Sequence, residues 1–212
     1  MRLVFVEGVS GVISQEDRDA QLDDMVSCVT ETDEERRARI YPIVLQPHNP
    51  AWADWYTEEK ANLIRHVGAD NIARINHYGS TAVPGLDAKP TVDILLEMKE
   101  GFNLRELAGL LPQGEYFFQW RDMADDPLIL YKGYTPTGFG ERVFHVHVRH
   151  EGDWDELYFR DELLANPDTA VKYAALKQRL MREFTHDRDG YTDAKGAFIR
   201  EITAKARERN VI

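Results

Sequence analysis

The groups best suited to chemistry concentrate between His77 and Ile94, in the run His77-Tyr78-Gly79-Ser80-Thr81-Ala82-Val83-Pro84-Gly85-Leu86-Asp87-Ala88-Lys89-Pro90-Thr91-Val92-Asp93-Ile94. Gly79 has no Cβ and lets a ligand approach the backbone closely. Ser80 and Thr81 add hydroxyls and backbone N–H groups, a cradle for phosphate oxygens. Lys89 brings positive charge, and Asp93 places a carboxylate where it can ligate Mg2+. The same residues also read as a tight Gly/Pro turn between two strands, with Asp93 in a structural hydrogen bond. His145 and His147 are two apart, so on a strand both imidazoles face one side and can share a metal or a phosphate. They read equally as hydrogen-bonded histidines of a half-buried strand. His77 can join them, whereas His48, His66, His150 and His186 stand apart and read as surface residues.

Two further pairs rest on spacing: Tyr173 with Lys177, and Tyr191 with Lys195, each four apart on a helical stripe that also carries Leu or Ile and Phe. An inward lysine must pair or snorkel, because burying its charge alone is costly. One outcome is two internal salt bridges, to Asp161 or Asp187. The other is a pair of ammonium groups that hold phosphates in a cleft. Arg160 and Asp161 either pair with each other or line that cleft.

These groups need elements to hold them. Period-two and apolar runs predict strands at Ile43–Gln46, Ala73–Tyr78, Thr91–Met98, Tyr116–Trp120, Leu128–Tyr134 and Arg142–Arg149. Helical spacing predicts a helix opened by Pro50 that carries Trp52, Trp55, Tyr56, Leu63 and Val67, and a short one over 103–111. Helices over 153–165, 167–184 and 190–209 follow, the second with Asn166 as N-cap and Pro167 in its first turn. The order is α+β: a mixed sheet with flanking helices, then a C-terminal helical block.

The 212 residues suit one ordinary domain over 41–212, and the net charge of −11 disfavours polyanions and anionic membrane surfaces. Residues 1–40 hold ten acidic and five basic side chains, a net of −5 that leaves −6 for the rest. They read as an acidic extension: a strand over 2–7 and a charged helix over 15–39 with a stripe of Leu22, Met25, Val26 and Val29. Gly8-Val9-Ser10-Gly11 lacks the Gly-Lys-Ser/Thr ending of a phosphate loop. Cys28 is the only cysteine, so no internal disulfide forms, and no apolar run nears the ~20 residues of a membrane span. With no long apolar leader segment, the expected location is the cytoplasm.

The motifs resemble the GrpB family, a branch of the nucleotidyltransferase superfamily with the polymerase-β-like fold. The resemblance runs through nearly everything from Ile43 onwards and leaves out residues 1–40. It rests on Asn49-Pro50-Ala51-Trp52, the loop from Gly79 to Leu86, Ala88-Lys89-Pro90 and Asp93, then His145-Val146-His147 and Phe159-Arg160-Asp161. Tyr173 to Lys177 and Tyr191 to Lys195 complete it. It implies a nucleotide or other phosphate-bearing small molecule on Gly79, Ser80, Thr81, Lys89, Lys177, Tyr191 and Lys195. It also implies Mg2+ on Asp93 and nucleotidyl transfer through carboxylate-bound metal ions. The superfamily's paired acids, spaced i and i+2, fall here on Asp93 and Leu95, and leucine cannot ligate a hard cation. Glu97 shares the face but sits roughly 13 Å from Asp93 at ~3.3 Å per residue. The resemblance places His145 and His147 where the superfamily has a third acid. It also implies an alternative, acyl or aminoacyl transfer with His145 or His147 as general base, from a charged tRNA for example. A non-catalytic nucleotide-binding module, with residues 1–40 as a docking arm, is the third reading.

Overall fold

The computed structural model describes residues 36, 39–122 and 127–210. The elements expected over 2–7 and 15–39, and Cys28, fall outside the described residues except for Arg36 and Arg39. Five strands form one sheet: β1 (Ile72–Tyr78), β2 (Thr91–Met98), β3 (Phe117–Trp120), β4 (Leu128–Thr135) and β5 (Gly138–His150). Their order across the sheet is β1-β2-β5-β4-β3, and only the β2–β5 pair is parallel. Helix α1 (Ala51–Val67) precedes the sheet, and α2 (Leu107–Leu110) continues a 3-10 turn begun at Leu104. Helices α3 (Asp155–Ala165), α4 (Pro167–Glu183) and α5 (Arg188–Asn210) follow. The expected α+β class and mixed sheet are what the chain forms.

The pleat of β2 divides the molecule. Val92, Ile94, Leu96 and Met98 point to one face and are fully buried with Trp52, Leu63 and Val67 of α1, Leu107 of α2 and Leu128, Leu130, Val146 and Val148. Asp93, Leu95 and Glu97 point to the other face. There Val83 and Leu86 of the turn-rich loop pack with Phe159 and Leu163 of α3 and Tyr173 of α4, against Phe198 and Ile199 of α5. The C-terminal helices are thereby seated on the loop that follows β1.

Local chemistry explains the boundaries. The Asn166 side chain accepts the Thr169 N–H at 3.4 Å, and Pro167 opens α4 as expected. The strand expected over Ile43–Gln46 reduces to one bridge between Gln46 and Ala88. Pro42 and Pro47 flank it without N–H groups, and the Ile43 N–H goes instead to the Thr185 carbonyl at 3.2 Å. β5 starts four residues before the expected Arg142 and forms a hairpin with β4.

Glu97 is fully buried yet has its partners. Its carboxylate accepts from Arg74 at 2.6 Å, the Gly152 N–H at 3.2 Å and the Trp154 indole at 3.0 Å. It ties β1 and β2 to the segment that leads into α3. His48, expected on the surface, is half-buried and packs edge-on against Trp52.

Candidate functional site

Asp93 is the centre from which the site is built. It pairs in register with Tyr78 on β1 and with His145 on β5, so the parallel pairing sets carboxylate beside imidazole. The chain turns after Tyr78 at Gly79, whose φ is 72°. A Cβ there would overlap the Asp93 carboxylate, so the absent side chain is what lets the turn lie against the acid.

The Asp93 Oδ1 atom stands 3.4 Å from His145 Nδ1, and His145 Nε2 stands 2.6 Å from the Tyr134 hydroxyl. Burial pushes the Asp93 carboxyl up, but hydrogen bonding and charge from His145, with His147 and Lys89, outweigh it and hold the group below its ordinary value. Burial lowers the His145 imidazole. An ionised Asp93 beside a neutral His145 fixes the tautomer: Nδ1–H donates to the carboxylate, and Nε2 accepts from the Tyr134 O–H. Tyr134 stacks on His145, and Tyr131 meets the imidazole edge-on with centroids 4.9 Å apart. His147 points to the same face as His145, against the ring of Tyr78.

Three lysines lie nearby: Lys89 and Lys195 act on Asp93 through charge, and Lys177 interacts with both of them. The Lys195 and Lys89 ammonium groups lie 4.4 and 5.4 Å from the centre of the Tyr191 ring, which is itself buried. Lys177 lies deeper and donates to Ser80 Oγ at 3.0 Å and to the Asp87 carbonyl. Burial lowers Lys89 to about 7, with the charges of Lys195 and Arg188 adding to it and Asp93 opposing. Burial likewise lowers Lys177 to about 7, with Lys195 and Lys89 adding, and lowers Lys195 to about 8. The expected ion pairs of Lys177 with Asp161 or Asp187 do not form: Asp161 pairs with Arg160 at 2.7 Å, and Asp187 accepts the Gly190 N–H at 2.8 Å.

Thr81 differs from Ser80. It is 2% exposed, and its hydroxyl donates to the Thr91 carbonyl at 3.2 Å, so it braces the turn. Its one proton is used there, so His77 Nε2–H donates to it at 3.0 Å. Burial holds His77 near a pKa of about 4, neutral at physiological pH, and Arg160 donates to the His77 carbonyl at 2.9 Å. His77 and Arg160 therefore shape the turn from behind.

Three participants were not evident in the sequence: Tyr134, Arg188 and the Asp87 carbonyl. The charge of Arg188 acts on Lys89, Lys195 and Tyr134, and its guanidinium donates to the Tyr41 carbonyl at 3.0 Å. Only its place at the start of α5, two turns before Lys195, was a signal. Among the described residues, no three His, Cys, Asp or Glu side chains come together as a metal-binding set. Asp93 has Leu95 rather than an acid at i+2, and the charges of Lys89 and Lys195 act on it, so the donor set does not fit a protein-held Mg2+.

Comparison with known proteins bears on the family and the fold. The family model described as GrpB protein matches residues 42–205. A UPF0157 protein of Pseudomonas aeruginosa is 40% identical over 166 residues, which cover 77% of this chain and 67% of that one. The glutamate-rich protein GrpB of Alkalihalophilus pseudofirmus is 31% identical over 172 residues, 76% of this chain and 93% of that one. The crystal structure of conserved protein GrpB from Enterococcus faecalis superposes with a TM-score of 0.69 at 28% identity, covering 79% of this chain and 99% of that one.

Proposed function

The chain belongs to the GrpB family, in the nucleotidyltransferase-like superfamily, and we propose that its cleft binds a small phosphate-bearing molecule such as a nucleotide. Charge carries this reading. Lys89 and Lys195 share the carboxylate of Asp93, and Lys195 disfavours the charged forms of both Lys89 and Lys177, in a chain whose net charge is −11. A cleft short of negative charge takes up an anion, and a phosphate dianion on Lys89, Lys195 and Ser80 restores the balance. Asp93, His145 and Tyr134 form a hydrogen-bonded chain beside it.

Nucleotidyl transfer is the finer reading that the superfamily offers. Its two-metal form needs several carboxylates, and this cleft has one. Binding through lysine is therefore the reading carried forward. Isothermal titration with pyrophosphate and with ATP tests it. Both should bind in EDTA, and Lys89→Met and Lys195→Met should each weaken affinity about 10–100-fold, as expected for a charge-assisted hydrogen bond of about 1.5–3 kcal/mol. No binding of either anion, or unchanged affinity in both variants, would overturn the proposal. Binding seen only with Mg2+ present would overturn the lysine-based account.

A further inference from the structure

Lys177 is only 2% exposed, and neither of its two hydrogen-bonding partners is a carboxylate. They are the Ser80 hydroxyl, 3.0 Å away, and the Asp87 backbone carbonyl. The Asp87 carboxylate acts on it, but burial and the charges of Lys195 and Lys89 outweigh that and favour the neutral amine, which lies in contact with a nucleophilic side chain. Ser80 also hydrogen-bonds the Tyr173 hydroxyl and is itself half-buried, so part of it remains open. Nucleophile, base and an orienting group thus lie within hydrogen-bond reach of one another, which is the arrangement that activates a serine.

The geometry points to a serine–lysine dyad, with Ser80 as nucleophile and Lys177 as its general base, acting on an acyl donor whose leaving group is a phosphate. The inference rests on the phosphate-binding reading of the cleft, because Lys89 and Lys195 are what would receive the leaving group. Ser80 Oγ forms a bond to the acyl carbon as its proton passes to the neutral Lys177 Nζ. The bond from that carbon to the phosphate oxygen breaks, and phosphate leaves with the electron pair. The departing phosphate takes the proton from Lys177. An amine, hydroxyl or water acceptor then gives its own proton to the neutral Lys177 as it takes the acyl group, and Lys177 passes that proton to Ser80 Oγ. A pKa of about 7 at Lys177 makes the amine available at neutral pH, whereas an ordinary surface lysine is charged there.

Acetyl phosphate is the probe, with the full-length chain analysed by mass spectrometry of the peptide between Arg74 and Lys89. The expected result is one acetyl group on Ser80, absent in Ser80→Ala and formed at least 100-fold more slowly in Lys177→Met. The wild-type rate should rise with pH through a midpoint near 7. Lys177→Met removes a buried contact, so circular dichroism and thermal melting establish that each variant is folded. Lys177→Arg serves as the second variant: it keeps the charge, cannot act as a base, and should also fail to acetylate. No acetyl-Ser80 in a wild-type protein that binds pyrophosphate overturns the dyad. So does acetylation that persists at the same rate in both Lys177 variants. Acetyl-Ser80 formed by a protein that does not bind pyrophosphate supports the dyad and overturns the phosphate reading.

Discussion

At Gly79 the absence of a side chain determines what Asp93 can do. Gly79→Ala would set a Cβ against the Asp93 carboxylate at a φ of 72°, displacing the acid from His145 and straining the turn by about 1–3 kcal/mol. Thermal melting should show the loss, and pyrophosphate titration should show weaker binding; an unchanged protein would mean that the turn is not held against the acid. The lysines give a second prediction, with its sign fixed by linkage. Lys89, Lys177 and Lys195 have folded values of about 7, 7 and 8 against an ordinary 10.5. The unfolded chain therefore binds more protons between pH 7 and 10, and the stability they contribute rises with pH across that window and is lost as pH falls towards 7. Melting temperatures of the wild type should climb more steeply over this range than those of Lys195→Met. Saturating pyrophosphate should flatten the difference, and parallel curves would contradict the assignment. His77 behaves similarly at lower pH. Its neutral form contributes stability above about 6.5 that is lost as pH falls through about 4.

Among the elements, the β4–β5 hairpin shows why part of the site escapes a sequence reading. Tyr131 and Tyr134 are three apart, which on a regular strand puts them on opposite faces. Yet both touch His145, because the register shifts between Lys132 and Tyr134 at Gly133, whose φ is 84°. The bulge turns Tyr134 back onto the site. An alanine there would run into the Arg142 carbonyl, so Gly133→Ala should cost about 1–3 kcal/mol and release Tyr134 from His145. Histidine NMR would register the release as a changed Nε2 environment, and an unaltered signal would refute the role given to the bulge. Period-two pairing is legible residue by residue, and Thr91–Met98 was read to its ends; a bulge is an exception to that period and leaves only a glycine as its trace. The lysine spacings likewise placed Lys177 on an inward stripe. They did not show that its partner would be Ser80, because that contact depends on how α4 docks. Glu97 illustrates the same limit. Its face was legible in the strand pattern, but its burial was not, because its partners Arg74, Gly152 and Trp154 come from two other segments. Removing them with Glu97→Ala should cost about 1–3 kcal/mol in chemical denaturation.

For the whole molecule, the charge balance sets the range of partners. A chain at −11 repels extended polyanions, while the three lysines act only at short range inside the cleft. A charged or uncharged tRNA should accordingly show no retention at physiological salt in a filter assay with the protein at concentrations that saturate with pyrophosphate. Retention there would reopen an RNA-dependent reaction. The sheet also separates duties: one face is apolar and carries α1 and α2, and the other carries Asp93, His145 and His147 under the C-terminal helices. The Lys177–Ser80 bond joins positions 97 residues apart, and Asp93 meets His145 only through a parallel pairing. Such contacts close late, because long loops must be ordered before they form. During synthesis the chain therefore has its Gly79 turn and its carboxylate long before it has a cleft. A nascent chain that ends before α4 holds half a site, so binding of the proposed ligand would itself report that folding has finished.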